Sequence, residues 1–394
     1  MNFQRVTNFL ESLQNFGIPG ADLAVYIKGK EVYRHQMGFS NLKTRTPITP
    51  DALYRIYSMT KVVTCVAAMR LYEEGLFLLN DPVSDYLPEF KDMEVRQIKE
   101  NGEVLTVPAK NPIRVVDLFT MTSGLTYIPT PNLEALSEKT GGSYTLREFS
   151  KAISKDSLFF EPGEHWHYGL SHDVLGYLIE VLSGKTLGEY FNENIFVPLG
   201  MTDTFFRLPK EKEHRLVSFY TYDEKNKTHT EGDPTLPIRF DVDNKYESPG
   251  AGLISTVDDY AKFTNALYCC FCSSDTNRIN CRIDRSSSSN YHLLSKPTAE
   301  LMRTNHLGEV QLREYNNWNH TKGYGYGLGV RTMVNKAIGG ISSSIGEFGW
   351  AGLAGTYMSI DPAAGLTYVY AQQLFPSYEE YIAPRLRNVI YGCL

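Results

Sequence analysis

Residues 58–75 read Ser58-Met59-Thr60-Lys61-Val62-Val63-Thr64-Cys65-Val66-Ala67-Ala68-Met69-Arg70-Leu71-Tyr72-Glu73-Glu74-Gly75. From Val62 to Tyr72 there is almost no polar face, and Gly75 offers a stop, so the run reads as a helix buried in the middle of a protein. Ser58 and Lys61 stand three positions apart at its start. Residues so spaced share one face of a helix, which lets the amine reach the hydroxyl and take its proton. That is the minimum equipment for a serine nucleophile that works without histidine. At a helix N-terminus, free backbone N–H groups and the positive end of the dipole also favour a developing anion. Taken alone, the pair fits equally an N-cap serine beside a solvated lysine. The same spacing recurs at Ser40-Asn41-Leu42-Lys43. There the flanks, Gly38 and Thr44-Arg45-Thr46-Pro47, are loop chemistry, with no apolar helix to hold the pair in register.

Outward from this stretch, the N-terminal side reads as an amphipathic helix through Phe3, Val6, Phe9, Leu10 and Leu13, then a β-hairpin from Ala21 to Met37 turning at Gly29-Lys30. On the C-terminal side, residues 80–245 carry mostly helix and loop signals. The clearest helix there spans Asp173 to Phe191, with Ser171 or Asp173 suited to cap it. Strand character returns at Tyr324–Val334, Gly352–Ile360 and Leu366–Leu374, and Tyr378 to Tyr391 closes the chain as a helix. Strands at both ends with helices between predict an α/β fold: one antiparallel sheet built from residues 1–79 and 246–394, flanked by helices, with a mainly helical region at 80–245 and the active site where the two meet.

The chain of 394 residues is 42% apolar and 21% charged, with net charge −6. That mild acidity gives no footprint for nucleic acid or an anionic membrane. No unbroken apolar core of a signal peptide and no run of membrane-spanning length occurs, so the expected location is cytoplasmic. Cys269, Cys270, Cys272 and Cys281 crowd one segment, but their spacing is not that of a metal site, and reduced thiols on and beside a loop are expected. His165, His167 and His172 lack the accompanying motif of a zinc hydrolase. No metal or cofactor is expected, and the absence of Gly-x-Ser-x-Gly argues against an α/β-hydrolase.

A Ser-Lys pair needs a proton shuttle and donors for the oxyanion. Trp166-His167-Tyr168 places a tyrosine just before a helix start, where a phenolate near Lys61 would be stabilised by its charge. With Ser58-Met59-Thr60-Lys61, the series Thr122-Ser123-Gly124-Leu125, Pro162-Gly163, Trp166-His167-Tyr168, Gly250-Ala251-Gly252-Leu253-Ile254-Ser255-Thr256, Gly325-Tyr326-Gly327-Leu328-Gly329 and Gly349-Trp350-Ala351-Gly352 runs in the order seen in class C β-lactamase-like serine hydrolases, which the chain resembles over almost its whole length. The resemblance implies a β-lactamase/penicillin-binding-protein-like fold. It departs from penicillin-recognising enzymes at two places: Tyr168-Gly169-Leu170 stands where they have Tyr-x-Asn, and Trp350-Ala351-Gly352 where they have Lys-Thr-Gly. Both departures resemble family VIII carboxylesterases and lovastatin-type acyltransferases.

By this resemblance Ser58 is the nucleophile, Lys61 its activating partner and Tyr168 the acid/base. The backbone N–H groups of Ser58 and Leu353 form the oxyanion hole. Trp350 offers an apolar wall to an uncharged acyl or alcohol group. Gly352, Leu170, Tyr127, Trp166, Trp318 and Tyr326 are the further candidates for the substrate pocket. The expected activity is hydrolysis of small uncharged esters through an acyl-Ser58 intermediate. The alternatives are an acyltransferase of the same fold, a β-lactamase or D-amino-acid peptidase, and a non-catalytic scaffold. The expected partner is a small-molecule ester or acyl donor.

Overall fold

The computed structural model describes residues 1–99, 101–128, 130–232, 240, 243–272, 291–317 and 321–394. An eight-stranded sheet organises them. In chain order its strands are β1 (Gly20–Ile27), β2 (Lys30–Asn41), β3 (Thr46–Pro47), β4 (Tyr324–Tyr326), β5 (Arg331–Met333), β6 (Phe348–Gly352), β7 (Thr356–Asp361) and β8 (Leu366–Gln372). The spatial order is β4-β5-β6-β7-β8-β1-β2-β3, and every neighbouring pair is antiparallel. The sheet therefore closes on itself in sequence: the last long strand, β8, lies along the first, with Leu23 opposite Tyr370.

Helices α1 (Gln4–Ser12), α2 (Thr60–Glu73), α3 (Val115–Thr120), α4 (Ser171–Ser183), α5 (Leu187–Phe191), α6 (Val257–Cys269) and α7 (Glu379–Tyr391) are those that matter here. On one side of the sheet α1 and α7 pack together over Leu23, Val25, Tyr368 and Tyr370. On the other, α6 lies against β8 and β1. Helix α2 is enclosed on every side, with all residues from Thr60 to Met69 buried, and packs against α4. Each buried Val or Leu there contributes about 1.5–3 kcal/mol, which is why an uninterrupted apolar run settles in the centre.

The sequence expectations for several elements need correction. The helix expected from Asp173 to Phe191 is two helices, because Gly184 ends α4 in the left-handed region (φ 68°) and Thr186 starts α5 with a capping box to Glu189. Neither Ser171 nor Asp173 caps α4; Leu170 occupies that position without a side-chain cap. The segment Tyr324–Val334 forms two short strands, and Gly352–Ile360 spans the turn between β6 and β7. A β-rich run carries no signal for where it folds back when the turn residues, such as Leu353-Ala354-Gly355, are themselves apolar. Two small hairpins, Glu94–Ile98 with Val104–Pro108 and Tyr220–Asp223 with Thr228–Glu231, add strand to the part expected to be mainly helical.

Cys269 is disulfide-bonded, whereas Cys65, Cys270, Cys272 and Cys393 are free thiols. The expectation of reduced thiols fails at Cys269, since spacing says nothing about which sulfurs come within bonding distance; Cys281 lies outside the described residues. Disulfides persist in oxidising compartments, so the cysteines lend the cytoplasmic expectation no support. Among the described residues no helix is long and apolar enough to cross a membrane.

Candidate active site

The chain enters α2 through a strained corner. Tyr57 is held at φ 44°, a left-handed conformation that costs a non-glycine residue about 1–2 kcal/mol, and its ring packs edge-on against Phe219 and Phe240. This corner leads into a single 3-10 turn, Tyr57–Met59, and leaves Ser58 half-buried in the wall of a cavity of about 550 Å³.

One turn on, the fully buried Lys61 extends its Nζ to three oxygens: Ser58 Oγ at 3.3 Å, Tyr127 OH at 2.9 Å and the Gly250 carbonyl at 2.6 Å. An ammonium has three donors and no acceptor, and this arrangement uses all three. Burial by itself would lower the lysine's pKa; the negative potential of Tyr127, Tyr168 and Asp173 outweighs it and holds Lys61 above its ordinary range. These surroundings favour the ammonium over the free amine facing Ser58.

The other motifs assemble around this cation. Thr60 Oγ1 accepts from Leu253 N–H at 3.1 Å and Thr64 Oγ1 donates to the Pro249 carbonyl at 2.7 Å, so α2 is laced to the segment carrying Gly250. A Cβ on Gly250 would stand 3.2 Å from Lys61 Nζ and 3.1 Å from Asp173 Oδ2, which is why glycine serves there. Tyr127 follows Thr122-Ser123-Gly124-Leu125 and turns its hydroxyl inward onto Lys61. Although the side chain as a whole is 45% exposed, desolvation at its inward hydroxyl pushes the phenol up against the opposing pull of Lys61.

Tyr168 presents its ring to Lys61 Nζ, 4.8 Å from the centroid, and its hydroxyl accepts from Trp350 Nε1 at 3.2 Å. Strand β6 brings Trp350 there. Just before β6, the buried Glu347 accepts from Arg331 Nη2 at 3.0 Å, Ser359 Oγ at 2.5 Å and Tyr324 OH at 3.2 Å, and Arg387 Nη1 donates to Tyr324 OH at 2.8 Å. Gly352 at the end of β6 and Leu353 just past it line the same cavity as Ser58. Among the described backbone hydrogen bonds, neither Ser58 N–H nor Leu353 N–H is used as a donor.

The candidates thus divide. Ser58, Tyr168, Trp350, Gly352 and Leu353 line one cavity, with Lys61 buried beside Ser58 and the partly exposed Tyr127 reaching Lys61 from outside that lining. Trp166 and Tyr326 stand further back, buried, edge-on to one another at 5.9 Å; Tyr326 also meets Trp350 edge-on at 5.2 Å. They support the aromatic wall and are not among the cavity's lining. Leu170 starts α4 and packs into the core. Trp318 lies outside the described residues. His165 bonds Glu314 at 2.6 Å and His167 lies 3.3 Å from Thr126 Oγ1, so the His-x-His pair faces two different partners.

Two features escaped the sequence reading. The mouth of the cavity is lined by Glu224, Glu379 and Glu380, and no lysine or arginine is among its described lining residues. Asp173, expected at a helix cap, is buried beside Lys61 with Oδ1 accepting from Tyr246 OH at 2.5 Å. A signal for it existed: Asp173 falls on the apolar face of α4, one helical turn before Tyr177, where a carboxylate would not be left without a reason.

Ser58, Lys61 and Tyr168 thus come together beside an antiparallel sheet flanked by helices, and comparison with known proteins gives this fold its family. The chain belongs to the beta-lactamase family, whose profile matches residues 6–390. It is 26% identical to esterase EstB of Burkholderia gladioli, covering 98% of this chain and 93% of the relative. Among solved structures it is similar to EstCE1, a hydrolase with promiscuous acyltransferase activity (TM-score 0.78, 23% identity, 99% and 98% of the two chains). It is likewise similar to LovD, the simvastatin synthase of Aspergillus terreus (TM-score 0.79, 23% identity, 99% and 98% of the two chains). The family thus includes serine esterases and acyltransferases.

Proposed function

We propose that this protein is a serine ester hydrolase acting on small esters that carry no anionic group, through an acyl-Ser58 intermediate formed where the sheet part (1–79 and 246–394) meets the mainly helical part (80–245). The observation that carries the reading is Lys61 Nζ at 3.3 Å from Ser58 Oγ, with Tyr168 against the same cation. Ser58 Oγ attacks the ester carbonyl carbon, and its proton passes to the Tyr168 oxygen as the Tyr168 hydroxyl proton moves on to the alkoxy oxygen of the ester. Lys61, as an ammonium, activates Ser58 by stabilising the oxygen that loses its proton. The tetrahedral oxyanion rests on the N–H groups of Ser58 and Leu353. Collapse breaks the bond to the alcohol, which leaves with the proton from Tyr168, and water repeats the sequence to free the acid. An alcohol in place of water gives transesterification by the same steps, a second reading supported by the description of EstCE1 as a hydrolase with promiscuous acyltransferase activity.

The aromatic wall and acidic mouth argue against a β-lactam, whose carboxylate would meet Trp350 where penicillin-recognising enzymes place lysine. Catalytic efficiency on nitrocefin is accordingly expected to fall at least about 10²-fold below that on p-nitrophenyl butyrate. Nitrocefin equal to the ester would overturn the ester reading. Labelling with a fluorophosphonate, read by intact mass and peptide mapping, tests the nucleophile: one adduct on Ser58 is expected, and none would favour a scaffold.

The two tyrosines are separable. Tyr168→Phe is expected to lower kcat by about 10²–10⁴-fold with little change in KM. Tyr127→Phe, which removes one oxygen from Lys61, is expected to cost less. The reverse order in kinetics of the two purified variants would make Tyr127 the proton carrier.

A further inference from the structure

Asp173 is a buried carboxylate for which the scheme above has no use, and burying a charge without purpose is costly. Its surroundings point to one. Tyr246 OH holds Oδ1 at 2.5 Å. Oδ2 and Lys61 Nζ lie 3.1 and 3.2 Å from the same point above Gly250 Cα, so the carboxylate oxygen and the amine close on Gly250 together and stand no more than about 6 Å apart. The groups facing Lys61 come from every element packed on it. They are Ser58 and Cys65 at and within α2, Tyr127 after α3, Tyr168 before α4, His172 and Asp173 in α4, and Tyr246 and the Gly250 carbonyl in the segment before α6.

Most of these carry no charge. Burial pushes His172 down to about 3 and Cys65 well above its ordinary value, so at neutral pH the imidazole and the thiol are both neutral. Burial, with the charge of Asp173, pushes the Tyr246 phenol well up. Burial also pushes Asp173 up, while Lys61 and the Tyr246 hydroxyl draw it down. Asp173 is the one carboxylate among these groups, and it shares the interior with Lys61.

We infer that Asp173 is a positioning residue that fixes the charge of Lys61, holding it as an ammonium with its three hydrogens directed to Ser58, Tyr127 and the Gly250 carbonyl. This rests on the proposed Ser58–Lys61 chemistry. Removing an adjacent negative charge favours the neutral amine. In the Asp173→Asn variant, which still offers Tyr246 an acceptor, Lys61 therefore loses its proton at lower pH. The alkaline limb of activity moves down by about one unit or more.

The test is the rate of fluorophosphonate labelling at Ser58 and of ester turnover from pH 6 to 11, for the wild type, Asp173→Asn and Tyr246→Phe. Because Lys61 is held above its ordinary range, the wild-type rate is expected to hold to the top of this range, whereas a fall inside it is expected for Asp173→Asn, with a smaller displacement of the same sign in Tyr246→Phe. Equal depression at every pH would mean that Asp173 serves packing alone and would overturn the inference. If Asp173→Asn does not fold, a Tyr246→Phe profile superimposed on the wild type overturns it. Absence of labelling in the wild type would strike the Ser58 reading instead, so the two failures are distinguishable.

Discussion

Ser58→Ala is expected to lower ester turnover by at least about 10³-fold, with the protein still folded and the fluorophosphonate adduct gone. The side chain is half-buried at the cavity wall and its hydroxyl is bonded to Lys61, so removing one oxygen leaves the packing of α2 almost untouched. Lys61→Ala should cost a similar factor in turnover. It should also destabilise the fold, because it strips the cation from buried Asp173 and leaves the Gly250 carbonyl without its donor. Leaving a buried charge uncompensated costs about 3–5 kcal/mol. Residues acting as one unit are non-additive, so the double variant should be scarcely slower than either single one. Near-wild-type hydrolysis of p-nitrophenyl butyrate by folded Ser58→Ala would remove the nucleophile from Ser58. Additive losses in the double variant would separate the two residues' roles.

Gly352→Ala is expected to lower kcat by about 10²–10³-fold, the loss associated with one oxyanion donor, although no reacting group is changed. A Cβ there would sit 2.2 Å from the Ile56 carbonyl and 2.3 Å from Thr356 Oγ1. Both belong to the contact that ties the β6–β7 turn to the corner before Ser58, where Thr356 Oγ1 donates to Ile56 O at 3.1 Å. A backbone oxygen cannot step aside, so the turn must move away from Ser58 and take Leu353 N–H with it. Overpacking of this kind also costs about 1–3 kcal/mol, read as a lowered Tm. KM should change less than kcat, since the indole wall survives the displacement. Folded Gly352→Ala with wild-type kcat would show that Leu353 N–H does not hold the oxyanion.

The sequence by itself determined the parts that depend on local periodicity and on residue type. The apolar run after Lys61 could only be buried, and the i, i+3 spacing could only put amine and hydroxyl on one face. The hairpin from Ala21 to Met37 follows from alternation about a glycine turn, and the order of the motifs was sufficient to indicate the family. Tertiary structure decided what depends on which distant segments meet. It set Lys61 among the oxygens of Ser58, Tyr127 and Gly250, drawn from three separate stretches of chain. It buried Asp173, an apparent cap, beside Lys61, and moved Trp166 and Tyr326 behind the wall they were expected to form. It also favoured the ammonium at Lys61 over the free amine that the spacing suggests. The reason is electrostatic: a charge state in a dry interior depends on the summed potential of neighbours arriving from everywhere in the chain, and no local pattern encodes that sum.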